Sequence, residues 1–589
     1  MRSPDVAGLG AGHRRLNGPQ TTGRTYVGLS EPSHSATVEQ NVPIVVRDGT
    51  TLLADIHRPD THGRFPALLA VSCYPRQIQN SGAPLGFVEA GASDFWVPRG
   101  YAHVIANSRG TGGSTGTYSW LDRTERQDVA DLVEWVASQP WCDGNVGMIG
   151  ISYFAMTQLA AAIEAPPHLK AIFPVATTAD VYEAVWHNGL LSSTFVTAWL
   201  AGVASLSDVP DATLRSRAAS LLSSLLRRPG IHSKFAHLNG EAALSALGTV
   251  MRKHFADDPW GQLWRSVTIE HQYRDEWWEQ RDLLRLLDGC RVPMYLGCDW
   301  ENVPLHLPST FAVFEQVRAT APVRVGMLGA HGLSWPWESL HYEALAWFDH
   351  WLKGVDTGIM AGPAIRFHLP GADGFGTAEE WPPPQSRMTT WSLHADGSLG
   401  PGESAGGERS FLHLGAGLAP PHGAPAPPLP SLLSWDSPPL DQDLDVVGDA
   451  ELLLDASITA SDTSWIVTLQ DVAPDGAVTD VTAGWLRASL REVADEASRP
   501  GRPVIPAVTP VAVPPNDVVG YRLPLVSTAR RFAAGHRVRL VIASDDTTAG
   551  HPAILGFRHV AEGTPSINTV QGTSRVLLPV ITGAGPTDQ

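Results

Sequence analysis

Cysteine is scarce in this chain. Only Cys73, Cys142, Cys290 and Cys298 occur in 589 residues, and none stands in a C-x-x-C or other metal-type spacing. A disulfide framework and a structural zinc are thereby set aside. Long apolar runs are missing as well: no stretch approaches the roughly 18 uninterrupted apolar residues of a membrane span. Residues 1–40 are polar and Gly-rich, and no apolar segment follows Arg14 and Arg15. The expectation is a cytoplasmic protein with a flexible N-terminal extension. Basic charge is also short, with 42 Lys and Arg against 60 Asp and Glu and a formal charge of −18. With no dense Lys/Arg run to offset it, nucleic acid and anionic membranes are poor partners.

What is present is an ordinary globular composition, 43% hydrophobic and 17% charged, too apolar for a disordered chain. The length predicts three or four units at about 150 residues each. From Val42 the chain alternates strand and helix. Phe65 to Val71 and Tyr101 to Ala106 read as buried strands. Val129, Leu132, Val133 and Val136 fall at i, i+3, i+4 and i+7, which predicts a helix. A strand from Asn145 to Ile149 and a helix from Tyr153 to Ile163 follow, the rhythm of a mainly parallel sheet.

Residues from about 178 to 290 are rich in Leu, Ala and Trp, carry helical runs such as Asp211 to Arg227, and read as a helical insertion. Strand texture returns at Val292 to Gly297 and Val323 to Leu328, with an amphipathic stretch from His341 to Lys353. Beyond Gly354 the chain turns β-rich, with a Pro/Gly stretch from Gly400 to Pro430 and alternating runs at Ala450 to Ile458, Trp465 to Gln470 and Arg537 to Ala543. The expected domains are a flexible 1–40, a first sheet portion 41–177, the insertion 178–290, a second sheet portion 291–358, and an all-β sandwich or jelly roll 359–589.

The sharpest chemical signal is Gly147-Met148-Ile149-Gly150-Ile151-Ser152-Tyr153-Phe154-Ala155, an apolar strand that runs through a turn into a helix. Ser152 at that corner can occupy a strained elbow that presents its hydroxyl above the sheet, where the helix N-terminus favours negative charge. Gly150 fits the tight turn. The general G-x-S-x-G pattern is broken at Phe154, and a serine that merely caps a helix reads the same way from these nine residues.

The run from Trp141 to Met148, the following Gly-x-Ser-Tyr and the upstream Ser108-Arg109-Gly110 resemble the cocaine esterase family, which also includes X-prolyl dipeptidyl peptidases and α-amino acid ester hydrolases. Gly535-His536-Arg537-Val538-Arg539-Leu540 is similar to a strand of that family's last domain. The family pattern is G-x-S-Y-x-G, so Phe154 is permitted and Ala155 is the departure. The resemblance implies an α/β-hydrolase sheet with an inserted helical cap and a C-terminal jelly roll, and a serine hydrolase acting on an ester or amide. Ser152 then stands as nucleophile. His331, in Gly329-Ala330-His331-Gly332 just past a strand, stands as the base.

The loop Cys298-Asp299-Trp300-Glu301-Asn302 offers two carboxylates for the acid. Counting back from Phe311 places Glu301 where the resembling family has its aspartate, counting forward from Pro293 misses by one residue, and Asp299 is the alternative. The oxyanion donors implied are the Tyr153 N–H and the Tyr74 hydroxyl, the latter in Ser72-Cys73-Tyr74-Pro75.

Arg109 reads as a structural arginine, with Asn107 standing where the family usually has aspartate. Trp186, His187 and Trp300 are candidate substrate contacts, with Trp277 and Trp278 further possibilities in the insertion. Asp275, Glu276 and Glu279 read as a solvated helix face. The function expected is hydrolysis of a small-molecule carboxylic ester through an acyl-enzyme, with no metal or organic cofactor. A peptidase or amidase, an acyltransferase, and a binding protein on a degenerate scaffold are the alternatives. The accessory domains leave surface for a homo-oligomer.

Overall fold

A computed structural model describes residues 22–79, 89–207, 259–329, 336–372, 374–404, 406–415, 427–546, 558–560 and 563–581. The apolar runs of the first half form β1 (Ala36–Val45), β2 (Thr51–Pro59), β3 (Phe65–Ser72), β4 (Ala102–Asn107), β5 (Cys142–Ile151) and β6 (Leu169–Val175). After an insertion carrying the small hairpin β7 (Trp186–His187) and β8 (Leu190–Leu191), the sheet resumes. It continues with β9 (Met294–Cys298), β10 (Val323–Met327), β11 (Ile365–His368) and β12 (Phe375–Ala378).

The ten-stranded order is β1-β2-β4-β3-β5-β6-β9-β10-β11-β12. From β4 to β11 all neighbours pair in parallel. β1, β2 and β12 close the edges antiparallel. Strands β3, β4 and β9 are buried along nearly every residue, as a parallel sheet with both faces covered requires.

The helix predicted from the Val129 to Val136 spacing spans Arg123–Ala137 and buries those four residues; its N-cap Asp122 accepts the Glu125 N–H, satisfying one of the first-turn donors. Helix Tyr153–Glu164 packs on β3, β5 and β6. Helix Pro336–Lys353 lies on β5 and β6. A Cβ on Gly147 would come within 2.7 Å of Phe348, so the glycine lets that helix sit close to the sheet.

Two expected boundaries are corrected. Residues 22–40 do not form a flexible tail. The Thr22 hydroxyl donates to Glu343 at 2.8 Å, Tyr26 donates to the same carboxylate, and the Ser30 N–H and hydroxyl both donate to Asp349 at 2.7 Å. The segment is thus stitched to helix Pro336–Lys353 before β1 begins. The sheet also does not close at residue 358, because β11 and β12 extend it.

The insertion between β6 and β9 holds Val181–Val185, the β7–β8 hairpin, Ser193–Ser207, Pro259–Arg265 with a π-helical turn Ser266–Glu270, and the short helices Glu276–Glu279 and Leu283–Leu286. The run Asp211 to Arg227 lies outside the described residues. The described residues of the C-terminal part form two antiparallel sheets, with short 3₁₀ turns at Ala488–Leu490 and Asp495–Ala497. One contains Ser386–Leu393, Arg575–Ile581, Leu444–Ile458, Ser566–Gln571 and Glu408–His413; the other runs Leu432–Asp436, Arg537–Ala543, Ser464–Val472, Val478–Arg487. Among the described residues no helix is long and apolar enough to cross a membrane.

Candidate active site

Parallel strands of an open α/β sheet deliver their chemistry at the carboxyl ends, and the candidate residues lie there. Ser152 follows the last residue of β5 and adopts φ 60° and ψ −119° before helix Tyr153–Glu164 begins. That backbone conformation is strained for a residue with a side chain. It separates Ser152 from an ordinary N-cap, which sits in extended backbone; its side chain also makes no capping hydrogen bond. The turn is tight enough that a Cβ on Gly150, at φ +133°, would meet the Phe154 Cβ at 2.2 Å. Gly150 is therefore required, and Phe154 is the residue it accommodates. Ala155, where the resembling pattern has glycine, is fully buried.

Tyr74 follows β3 closely. Its ring centroid lies 6.3 Å from that of Tyr153 and 6.2 Å from that of Phe154, the two residues after Ser152, and burial, followed by the charge of Glu89, holds its pKa well above the ordinary phenol value. The group stays protonated and able to donate. The Trp199 indole N–H donates to the same oxygen at 2.9 Å, leaving the phenol hydrogen for another acceptor. Trp199 is a residue that sequence reasoning missed. Its only signal was an apolar helical run, Ser193–Ser207.

The loop bearing Tyr74 is fixed by a buried network. Asn107 donates to the Tyr74 carbonyl at 2.7 Å and accepts from Arg76 at 3.0 Å, while Arg76 pairs with Asp55 at 2.9 Å. The asparagine is a positioning group here, since an amide both donates and accepts. Arg109 pairs with Asp128 at 2.6 Å and Asp48 at 3.0 Å.

The Tyr153 backbone N–H belongs to the first helical turn, whose donors have no carbonyl one turn back. Its phenol points away from that role and donates to Glu125 at 2.7 Å; its ring is buried beside Trp199, centroids 5.9 Å apart.

Asp299 directly follows β9 and is 4% exposed, whereas Glu301 is half-buried. The Asp299 carboxylate accepts the Asn302 N–H at 3.1 Å. The Leu328 N–H donates to the Cys298 carbonyl at 2.8 Å, tying the ends of β9 and β10 together. His331 lies outside the described residues.

The three substrate-contact candidates are engaged in packing. Trp300 donates to the His368 carbonyl at 2.7 Å and stacks on Phe311, centroids 6.0 Å apart. Trp186 donates to the Val267 carbonyl at 2.9 Å. His187 bonds to His559 and to the Pro304 carbonyl, each at 2.6 Å. Trp278 is buried and bonded to the His271 carbonyl, Trp277 stacks on His271, and Asp275 caps the turn they begin.

Comparison with known proteins decides the family. Residues 48–338 match the model described as X-Pro dipeptidyl-peptidase (S15 family), and residues 358–554 match that of the X-Pro dipeptidyl-peptidase C-terminal non-catalytic domain. The chain belongs to this family. It is accordingly a serine hydrolase. A cocaine esterase from Rhodococcus sp. (strain MB1 Bresler) is 26% identical, the alignment covering 92% of this chain and 98% of the relative. A CocE/NonD family hydrolase from Staphylococcus aureus shares the fold with a TM-score of 0.72 at 21% identity, over 92% of this chain and 94% of that one. An α-amino acid ester hydrolase does so with a TM-score of 0.64 at 18% identity, over 96% and 99%. In the family frame the mixed sheet carries the chemistry and the C-terminal β domain is its non-catalytic companion.

Proposed function

We propose that this chain hydrolyses carboxylic esters through an acyl-enzyme on Ser152. The observation that carries the reading is the strained Ser152 backbone at the end of β5, with the buried Tyr74 ring packed against the two residues that follow it. Ser152 Oγ attacks the carbonyl carbon while His331 takes its proton. The negative charge that develops on the carbonyl oxygen is met by the Tyr153 N–H and the Tyr74 O–H. Collapse expels the alcohol with the proton returned by His331, and water repeats the sequence to release the acid.

The acid comes from the turn after β9. Register counting names Glu301; burial and the Asn302 N–H favour Asp299, since a carboxylate that holds an imidazolium works best fixed and away from solvent. We assign the role to Asp299, with Glu301 as alternative. The insertion 178–290 is read as a cap, because Trp199 reaches Tyr74 from it, and the C-terminal two-sheet domain as a jelly roll.

A peptidase acting on X-prolyl substrates is the second reading, favoured by the matched family model. Hydrolysis of p-nitrophenyl esters set against aminoacyl and X-prolyl anilides separates the two. The ester reading expects kcat/KM for the esters at least about 100-fold higher, and a preference for X-prolyl anilides overturns it. Run on Asp299→Asn and Glu301→Gln, the same assay assigns the acid: the expected result is a loss of about 1000-fold or more in kcat for Asp299→Asn alone.

A further inference from the structure

The C-terminal domain reaches the acid turn through a chain of buried hydrogen bonds that the mechanism above does not use. Asp546 accepts from the His559 backbone N–H at 2.6 Å and pairs with His559 Nδ1 at 2.7 Å. His559 Nε2 meets His187 Nδ1 at 2.6 Å, and His187 Nε2 meets the Pro304 carbonyl at 2.6 Å. His187 is 4% exposed, and the side chains of His559 and Asp546 are 1% and 3% exposed.

The carbonyl of Pro304 can only accept, so His187 Nε2 carries a hydrogen. One more hydrogen lies between the two rings and a third faces the carboxylate. The chain thus runs unbroken from the carboxyl group of Asp546 through both rings to the Pro304 carbonyl.

The segment at the end of this chain is a compact knot. The Asn302 carbonyl accepts the Leu307 N–H at 3.1 Å, the Asn302 side chain accepts the His306 N–H at 3.1 Å, and the Asn302 N–H reaches Asp299 at 3.1 Å. A pull on Pro304 is thus passed to the carboxylate at the end of β9. The β7–β8 hairpin that carries His187 is itself docked on the C-terminal domain. The His187 ring stacks on Trp485 at 4.6 Å, Asn188 exchanges bonds with the Trp485 carbonyl (3.1 Å) and the Arg487 N–H (3.0 Å), and Val560 donates to Leu191 at 2.9 Å. A Cβ on Gly189 would strike Leu490 at 2.3 Å, so the approach is close.

We propose that His187 is a positioning residue: with His559 and Asp546 it forms a hydrogen-bonded clasp by which the C-terminal domain holds the acid turn in register, through the Pro304 carbonyl. The inference rests on the assignment of the acid to that turn. The C-terminal domain then contributes to turnover without supplying a reacting group.

The test compares His187→Gln with His187→Asn in the full chain, using a neutral p-nitrophenyl ester. A glutamine amide reaches the place of the imidazole Nε2 and keeps the bond to Pro304; an asparagine amide stops at the place of Nδ1 and loses it. The expected result is kcat reduced about 5- to 10-fold for His187→Gln, which keeps the Pro304 bond and loses the one to His559, and about 50-fold or more for His187→Asn, which releases Pro304. KM should change less than about 2-fold in both, since a small misplacement of a catalytic group costs rate before binding. Asp546→Asn keeps the shape and removes the charge, and decides the matter if His187→Asn fails to fold; it should lower kcat about 5-fold or more at unchanged KM. Equal losses in the two His187 variants, or Asp546→Asn within 2-fold of wild type, would overturn the clasp. Wild-type chain that neither turns over esters nor reacts with a fluorophosphonate would instead defeat the ester-hydrolase reading.

Discussion

The Trp199 indole N–H donates to the Tyr74 hydroxyl at 2.9 Å, across 125 residues of sequence. The bond occupies one lone pair of the phenol and leaves its hydrogen free to be donated elsewhere. Trp199→Phe keeps an aromatic ring against Tyr153 and Trp120 and removes only the donor. A neutral hydrogen bond is worth about 0.5–1.5 kcal/mol, so kcat/KM should fall about 2- to 10-fold. Tyr74→Phe, which deletes the proposed oxyanion donor outright, should cost about 100-fold or more. Steady-state kinetics of the two variants check the order.

The backbone at Ser152 stores strain that a glycine would not feel. Residues held in such conformations cost about 1–3 kcal/mol, and Ser152→Gly removes that cost along with the nucleophile. The variant should be inactive and melt at a higher temperature than Ser152→Ala, which is inactive but keeps a Cβ. Equal melting temperatures for the two would show that the elbow is not strained.

Glu89 couples the site to pH. Its carbonyl accepts the Ile151 N–H at 3.2 Å and the Trp337 N–H at 2.7 Å, which sets the residue beside the nucleophile. Its carboxyl oxygen Oε2 is buried without a hydrogen-bond partner among the described residues, and burial pushes the carboxyl pKa well above its ordinary 4.5. The folded state therefore favours the protonated acid. Its contribution to stability is full below the unfolded value and is lost as pH rises through the folded one. Glu89→Gln should match wild type in thermal stability near pH 4.5 and exceed it at pH 8. A difference that does not change with pH would contradict this.

The parts of the fold visible in the sequence were those written in hydrophobic period: β3, β4 and β5, the helix from Arg123, and the elbow between β5 and its helix. What stayed hidden depends on polar bonds or on contacts between distant residues. Thr22, Tyr26 and Ser30 anchor the N-terminal segment through hydroxyls on Glu343 and Asp349, and no apolar pattern announces that. β11 and β12 are four residues each, too short for alternation to stand out. The acid turn left two candidates because it holds two carboxylates two residues apart; the burial of Asp299 and its bond from the Asn302 N–H, neither legible in the sequence, add weight to one side. Trp186 and His187, candidates from their place in the insertion, and Trp300 each have a ring nitrogen bonded to a backbone carbonyl, with the other His187 nitrogen on His559, bonds that no sequence pattern announces.

The proposed mechanism centres on Ser152 as nucleophile, and intact-protein and peptide mass spectrometry after treatment with a fluorophosphonate, which phosphonylates an activated serine, tests that most directly. One equivalent of adduct should form, on the peptide that contains Ser152, and Ser152→Ala should take up none. Native protein that stays unlabelled, or an adduct on another residue that survives in Ser152→Ala, would contradict the account.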